Sequence, residues 1–320
     1  MDKTLQTLLR MCRQPLIRWA AQAYVSGPDL ANALAVCHRM SQQGVAGTLC
    51  FWNRAGDPPE ATAEAYGVAL HTLATGRLPC QLSVKAPAFG FSHELFAEIL
   101  ERGRRSGTTV IFDSLGPETA DATLVLIENA LPHYPALGCT LPGRWARSLS
   151  DAEIAIHLKL SIRVVKGQWA DPEDPRRDPG EGFLAVVDQL AGRARHVAVA
   201  THDPALARES LRRLRAAGTS CELELLFGLP VRQALRVARE QGVPVRMYIP
   251  YGTGSLPYRL AHVPQMPRLL WWFIRDLLDG RSVSRVRSLD GVGTAAPPVT
   301  DICQRLGSGT AVLRSESKGH

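Results

Sequence analysis

Eight short apolar runs, spaced by amphipathic stretches, are the feature of this 320-residue chain that most limits its fold. They occupy residues 47–52, 79–85, 108–113, 137–141, 161–166, 196–201, 222–227 and 244–250, and each is rich in Val, Ile, Leu or Cys. Such short, apolar-rich runs suit strands of a parallel sheet. Between them lie helical stretches at 63–73, 93–104, 119–131, 151–157, 182–194, 204–217 and 230–241. Ser92, Ser150 and the Asp203-Pro204 pair stand where helix starts are expected. Alternating strands and helices imply right-handed crossovers, and eight units imply a closed α/β, TIM-like (β/α)8 barrel. An open dinucleotide-binding sheet is the rival. It needs a glycine-rich turn after an early strand, whereas Gly252-Thr253-Gly254 follows the last run and lacks the third glycine.

The ends of the chain differ from this middle. Leu5, Leu8, Leu9, Cys12 and Leu16 make one helical apolar face, and Asp29 opens a second helix that Gly44 closes. The expected organisation is a helical segment over 1–45, a catalytic barrel over 46–280 and a disordered tail over 281–320, where large apolar residues are few. No run reaches the ~18 apolar residues of a membrane span. Charged residues interrupt the first 19 positions, unlike a secretory signal. Seven scattered cysteines with no Cys-x-x-Cys pair fit reduced thiols, so the expected location is the cytoplasm. The net charge of +7 comes from arginines spread along the chain without interleaved aromatics, which reads as solvated helix faces rather than a nucleic-acid surface.

Function in such a barrel collects at the C-terminal ends of the strands. There the sequence puts Lys85, Asp113, Arg163, Lys166 and His202, an expected net-positive pocket. Individually, Lys85 reads as a solvated side chain, Asp113 as a helix cap and His202 as a satisfied core histidine. Arg163 is different, because a charge inside an apolar strand must be paired. Asp113 is its expected partner. Arg163 and Lys166 suit an anionic ring or phosphates, and Gly167 permits close backbone approach. No metal-ligand spacing and no Gly-x-Ser-x-Gly elbow stands out. The pocket therefore points to a large anionic cofactor rather than to hydrolysis.

These residues resemble, in order along 45–270, the monofunctional FAD-dependent proline dehydrogenases. Ser83-Val84-Lys85 and Phe112-Asp113 look like two of that family's strand ends. Residues 163–169, Arg-Val-Val-Lys-Gly-Gln-Trp, resemble its Arg-x-Val-Lys-Gly-Ala-Tyr signature. Ala200-Thr201-His202-Asp203 is similar to its Ala-Thr-His-Asn, residues 226–230 to its Leu-x-Gly turn, and residues 245–252 to its last strand. The resemblance implies catalytic roles for Lys85, Asp113 and Arg163. It implies an FAD site formed by Ser114, Arg163, Lys166, Gly167, Gln168, Thr201 and His202, and a substrate site formed by Lys85, Tyr248, Tyr258, Ala261 and His262. The implied reaction removes hydride from the carbon beside an amine nitrogen, as in proline catabolism, and passes the electrons to a quinone or oxygen. A quinone acceptor implies a membrane-peripheral placement.

The chain also departs from that pattern. Where the family carries an arginine pair three and four residues after a tyrosine, Tyr258 is followed by Ala261 and His262, and the expected glutamate is Gln265. Pro142 replaces a glutamine near the flavin, and Trp169 replaces a tyrosine. Three readings follow: an amine oxidoreductase for a substrate whose carboxylate is absent or masked, a proline enzyme whose clamp is rebuilt with Arg259 and His262, or a non-catalytic flavin-binding or empty barrel that acts as a binding protein. Trp271, Trp272 and Phe273 are expected to pack rather than to dock on a membrane.

Overall fold

Apolar strands flanked by amphipathic helices close here into one cylinder. The computed structural model describes residues 26–254. Helix α1 (Leu30–Ser41) leads into β1 (Ala46–Phe51), followed by α2 (Pro59–Gly76), β2 (Cys80–Val84), α3 (His93–Glu101) and β3 (Val110–Phe112). Then come α4 (Ala120–Ala130), β4 (Leu137–Pro142), α5 (Ser148–His157), β5 (Ser161–Val165), α6 (Pro179–Leu190) and β6 (His196–Ala200). Helix α7 (Pro204–Ala216), β7 (Ser220–Leu226), α8 (Arg232–Gln241) and β8 (Val245–Tyr251) complete the described order, with single turns of 3-10 helix before α3 and α4. All eight strands are parallel, and β8 returns to β1 with Thr48 opposite Tyr248 and Cys50 opposite Pro250. This is the expected (β/α)8 barrel.

One set of strand side chains, including Leu49, Leu82, Val84, Phe112, Val164, Val199 and Leu223, joins the helices in a continuous buried core. The alternate set carries the polar contacts. Thr48, Gln81, Ser83, Arg163 and Glu224 are all buried and bond to one another across the cylinder. An apolar coat outside and a polar column inside are thus written into the same strands by their two-residue alternation.

Helix starts follow local chemistry. Ser92 Oγ accepts from the Leu95 amide, and Asp203 Oδ1 from the Ala205 and Leu206 amides. Ser150 is not a cap: α5 begins two residues earlier, with Arg147 bound to Asp151 in its first turn and Ser148 Oγ donating to the Pro142 carbonyl at 2.6 Å. Helix α6 begins at Pro179 rather than residue 182, because Asp178 accepts from the Gly180 and Glu181 amides. Strand β3 is shorter than its apolar run: Thr108 follows the turn that ends at Gly107, and its hydroxyl meets Ser106 Oγ at 2.8 Å. The expected helical face of Leu5–Leu16, the tail from residue 281 and the aromatic cluster at 271–273 lie outside the described residues.

Candidate functional site

Arg163, in the middle of β5, organises the mouth of the barrel. It is only 3% exposed, so its charge requires partners. Nε donates to Glu224 Oε2 and Nη1 to Asp113 Oδ1, both at 2.7 Å, and Nη1 also reaches Ser83 Oγ at 3.2 Å. The guanidinium lies 5.1 Å from the ring centre of Tyr248, whose hydroxyl donates to Asp113 Oδ2 at 2.8 Å. Asp113 thus takes Arg163 and Ser83 on one oxygen and Tyr248 and Cys50 on the other. Lys85 sits beside it, donating to Cys50 Sγ and to the Phe51 carbonyl, each at 3.0 Å. That accounts for two of the three ammonium protons.

The electrostatics follow from this packing. Burial disfavours the Asp113 carboxylate, but Arg163 and then Lys85, with Ser83 and Tyr248, outweigh it and hold its pKa below the usual carboxylate value. Burial likewise opposes the Lys85 ammonium, and Cys50, Tyr66 and Asp113 around it raise its pKa instead. Burial pushes the Cys50 thiol up, and burial with Asp113 pushes the Tyr248 phenol well up, so both are neutral at ordinary pH. The expected net-positive pocket is corrected here. Glu224 supplies a second carboxylate, and Lys85 and Arg163 are balanced by Asp113 and Glu224.

Farther around the mouth, Lys166 Nζ lies 3.3 Å from Asp203 Oδ2 and is about half exposed. Gly167 has φ +91°, and a Cβ there would come 2.8 Å from Pro142 Cβ, so only glycine fits between the β4 and β5 loops. Those loops are joined by the Gly143 amide to Val165, the Arg144 amide to Lys166, and Trp145 Nε1 to the Trp169 carbonyl. Pro142 and Trp169, two departures noted in the sequence, therefore belong to one stapled wall. Thr201 is buried and its hydroxyl accepts from the Asp203 amide. Gln168 is exposed. Ser114 lines a cavity of about 30 Å3 between β3, β4 and α4, with Thr119 and Thr123.

His202 has both ring nitrogens engaged by backbone. Nε2 accepts from the Leu226 amide at 2.9 Å, so Nδ1 carries the proton and donates to the Pro230 carbonyl at 3.0 Å. Burial pushes its pKa down to about 4, with the Pro230 carbonyl opposing. This is the satisfied histidine of the simpler sequence reading, and it fastens the β6 end to the turn after β7.

Two nitrogens fit a bound anionic cofactor. Among the described residues, Arg163 Nη2 and Arg144 Nε are buried without a hydrogen-bond partner. A buried donor left unpaired costs on the order of 1–3 kcal/mol, so a ligand acceptor there recovers that cost. Arg163 Nη2 suits an electron-rich ring, and Arg144 and Lys166 suit phosphates. Among the described residues no group of three His, Cys, Asp or Glu could hold a metal ion, and no helix is long and apolar enough to cross a membrane.

Glu224, Cys50 and Thr48 were not singled out from sequence, and Ser83 was named only as part of the strand that ends at Lys85. Glu224 was legible: a charge inside an apolar strand, in Glu222-Leu223-Glu224-Leu225, meets the criterion that singled out Arg163. Cys50 carried no signal, since cysteine in an apolar run reads as packing. Tyr258, Arg259, Ala261, His262 and Gln265 lie outside the described residues.

No protein-family model matches the chain. Proline dehydrogenase 1 of Bacillus subtilis is 23% identical over 291 residues, covering 85% of this chain and 95% of its own. The proline dehydrogenase of Deinococcus radiodurans is 23% identical over 282 residues, covering 81% and 90%. Among solved structures, proline utilization A of Bdellovibrio bacteriovorus, inactivated by N-propargylglycine, superposes with TM-score 0.65 at 15% identity over 83% of this chain. That of Bradyrhizobium japonicum gives TM-score 0.55 at 17% identity over 74%. The chain spans 34% and 28% of the length of those two structures, and that likeness speaks to the fold. Along nearly the whole length of the curated relatives, and with the barrel seen in the proline utilization A structures, the chain is similar to the proline dehydrogenases.

Proposed function

We propose that the chain is an FAD-dependent oxidoreductase that oxidises the carbon beside the amine nitrogen of proline, or of a proline-like secondary amine, to an imine. The observation that carries this reading is Arg163: a buried guanidinium held by two carboxylates, with one nitrogen left over, at a mouth shared with Lys85 and Tyr248. The names of the curated relatives supply the substrate class.

When bound, a flavin supplies a hydride acceptor, chemistry that no side chain provides. The chain's own residues bind, orient and tune. Arg163 Nη2 would donate to the ring, and the fixed positive charge favours the reduced, electron-rich state. Asp113 and Glu224 keep that guanidinium in place without neutralising the donor that matters. Lys166, Gly167, Gln168 and Arg144 would hold the phosphate side. Thr201 shapes the β6 end, and His202 supports it through the backbone rather than by direct contact. Lys85 keeps one N–H for a polar group of the substrate, and Tyr248 lines the same mouth, its hydroxyl on Asp113 Oδ2 beside Cys50. Electrons would pass to a quinone or to oxygen, from a cytoplasmic or membrane-peripheral protein.

The first test is cofactor loading. FAD added to the flavin-free protein is expected to bind and to resist dialysis. A protein that takes up no flavin would reduce this reading to a barrel used for binding.

A further inference from the structure

An amino acid substrate brings a carboxylate, and Lys85, Arg163 and Lys166 at the mouth each already have protein partners. Lys85 is held by Cys50 and Phe51, Arg163 by Asp113 and Glu224, and Lys166 by Asp203. The positions of the family's arginine pair hold Ala261 and His262. We infer that Arg54, in the loop after β1, is the residue that anchors the substrate carboxylate. This rests on the amine-oxidising reading above.

Three observations carry the inference. First, Arg54 is fixed rather than loose. Its Nε donates to Thr253 Oγ1, and its amide donates to Asp57 Oδ2, both at 2.7 Å. Second, its loop is sewn to the loop after β8. The Trp52 amide donates to the Tyr251 carbonyl at 2.7 Å, and the Gly254 amide to the Trp52 carbonyl at 2.9 Å. A Cβ on Gly254 would stand 2.1 Å from the Asn53 carbonyl, so the approach of the two loops is tight. Third, this seam borders the substrate-facing groups. Lys85 Nζ bonds the carbonyl of Phe51, three residues before Arg54, and Tyr248 lies three residues before Tyr251. Among the described residues neither terminal nitrogen of Arg54 has a partner and no acid pairs with its side chain. With Nε tied down, Nη1 and Nη2 present the parallel pair of donors that a carboxylate accepts. A guanidinium on the β1 loop thereby takes the place of the arginine pair that the resemblance expects where Ala261 and His262 stand.

The test compares L-proline with pyrrolidine, the same ring without the carboxylate, as anaerobic reductants of the flavin-loaded protein. The wild type is expected to saturate at lower concentrations of L-proline than of pyrrolidine. Arg54→Ala is expected to raise the half-saturating L-proline concentration about tenfold or more. It should leave the limiting rate and the response to pyrrolidine unchanged. Arg54→Lys should recover part of the loss, and Thr253→Val, which frees Nε, should show a smaller rise. A wild type that treats the two amines alike, or an Arg54→Ala protein that keeps the preference, overturns the inference. If neither amine reduces the wild-type flavin, the oxidoreductase reading fails on its own. Calorimetric binding of L-proline then decides the anchor, which stands if Arg54→Ala abolishes binding and falls if binding is absent from the wild type or unchanged in the variant.

Discussion

Glu224→Gln is the sharpest probe of the buried network, because it removes one charge and almost no volume. Glu224 and Arg163 are 2% and 3% exposed and meet at 2.7 Å. At an effective dielectric constant near 20, unit charges at that separation attract by about 6 kcal/mol. Part of this returns in the variant, since a glutamine oxygen still accepts from Arg163 Nε and no longer carries a buried charge. Removing one partner of a buried pair costs about 3–5 kcal/mol, and the retained neutral bond sets the expectation at the lower end, about 3 kcal/mol. For a domain of this size that lowers the melting temperature by about 6–12 °C, measured by calorimetry on the flavin-free protein. A cycle with Arg163→Met isolates the pair, and the coupling should be well above 1 kcal/mol. A loss in Glu224→Gln below about 1 kcal/mol, with coupling under about 0.5 kcal/mol, would refute the view that Arg163 depends on Glu224.

Two further outcomes are expected. His202 has a folded pKa of about 4 against an ordinary value of 6.5, so the unfolded chain binds the extra proton. Its stabilising contribution is therefore complete above pH ~6.5 and declines toward pH ~4, with a slope of at most about 1.4 kcal/mol per pH unit. Urea titrations across that window should show the decline, and His202→Asn should flatten it; an unchanged slope would mean that the imidazole is not bound in its neutral form. Gly167→Ala forces a side chain onto φ +91° and against Pro142, which should cost about 1–3 kcal/mol in a urea titration. A neutral result there would contradict the close packing of the β4 and β5 loops.

Most of the barrel was legible in the chain because the outward set of strand side chains is apolar and buried against the helices, so each strand reads as a short apolar-rich run. The boundaries were less so. Asp178 caps α6 by the same Asp-Pro pattern as Asp203, yet it sits in a polar stretch where periodicity is silent. In the site, Arg163 was conspicuous as a charge within an apolar strand, and its spacing with Asp113, Lys85 and Tyr248 on other strand ends anticipated one mouth. Cys50 was invisible because its contact with Lys85 depends on β1 and β2 lying side by side, a long-range fact. The role of His202 was likewise decided by Leu226 and Pro230, which only the packing of β6 against β7 brings to its ring. Arg54 reads as an ordinary surface arginine until barrel closure sets Thr253 against it.

The measurement that bears most directly on the account is the visible absorbance spectrum of the flavin-loaded protein, recorded without oxygen before and after addition of L-proline. The account predicts that the flavin bands bleach, as electrons leave the carbon beside the amine nitrogen. Bands that persist at saturating L-proline, and through a panel of cyclic secondary amines, would contradict it and leave a flavin-binding barrel without this chemistry.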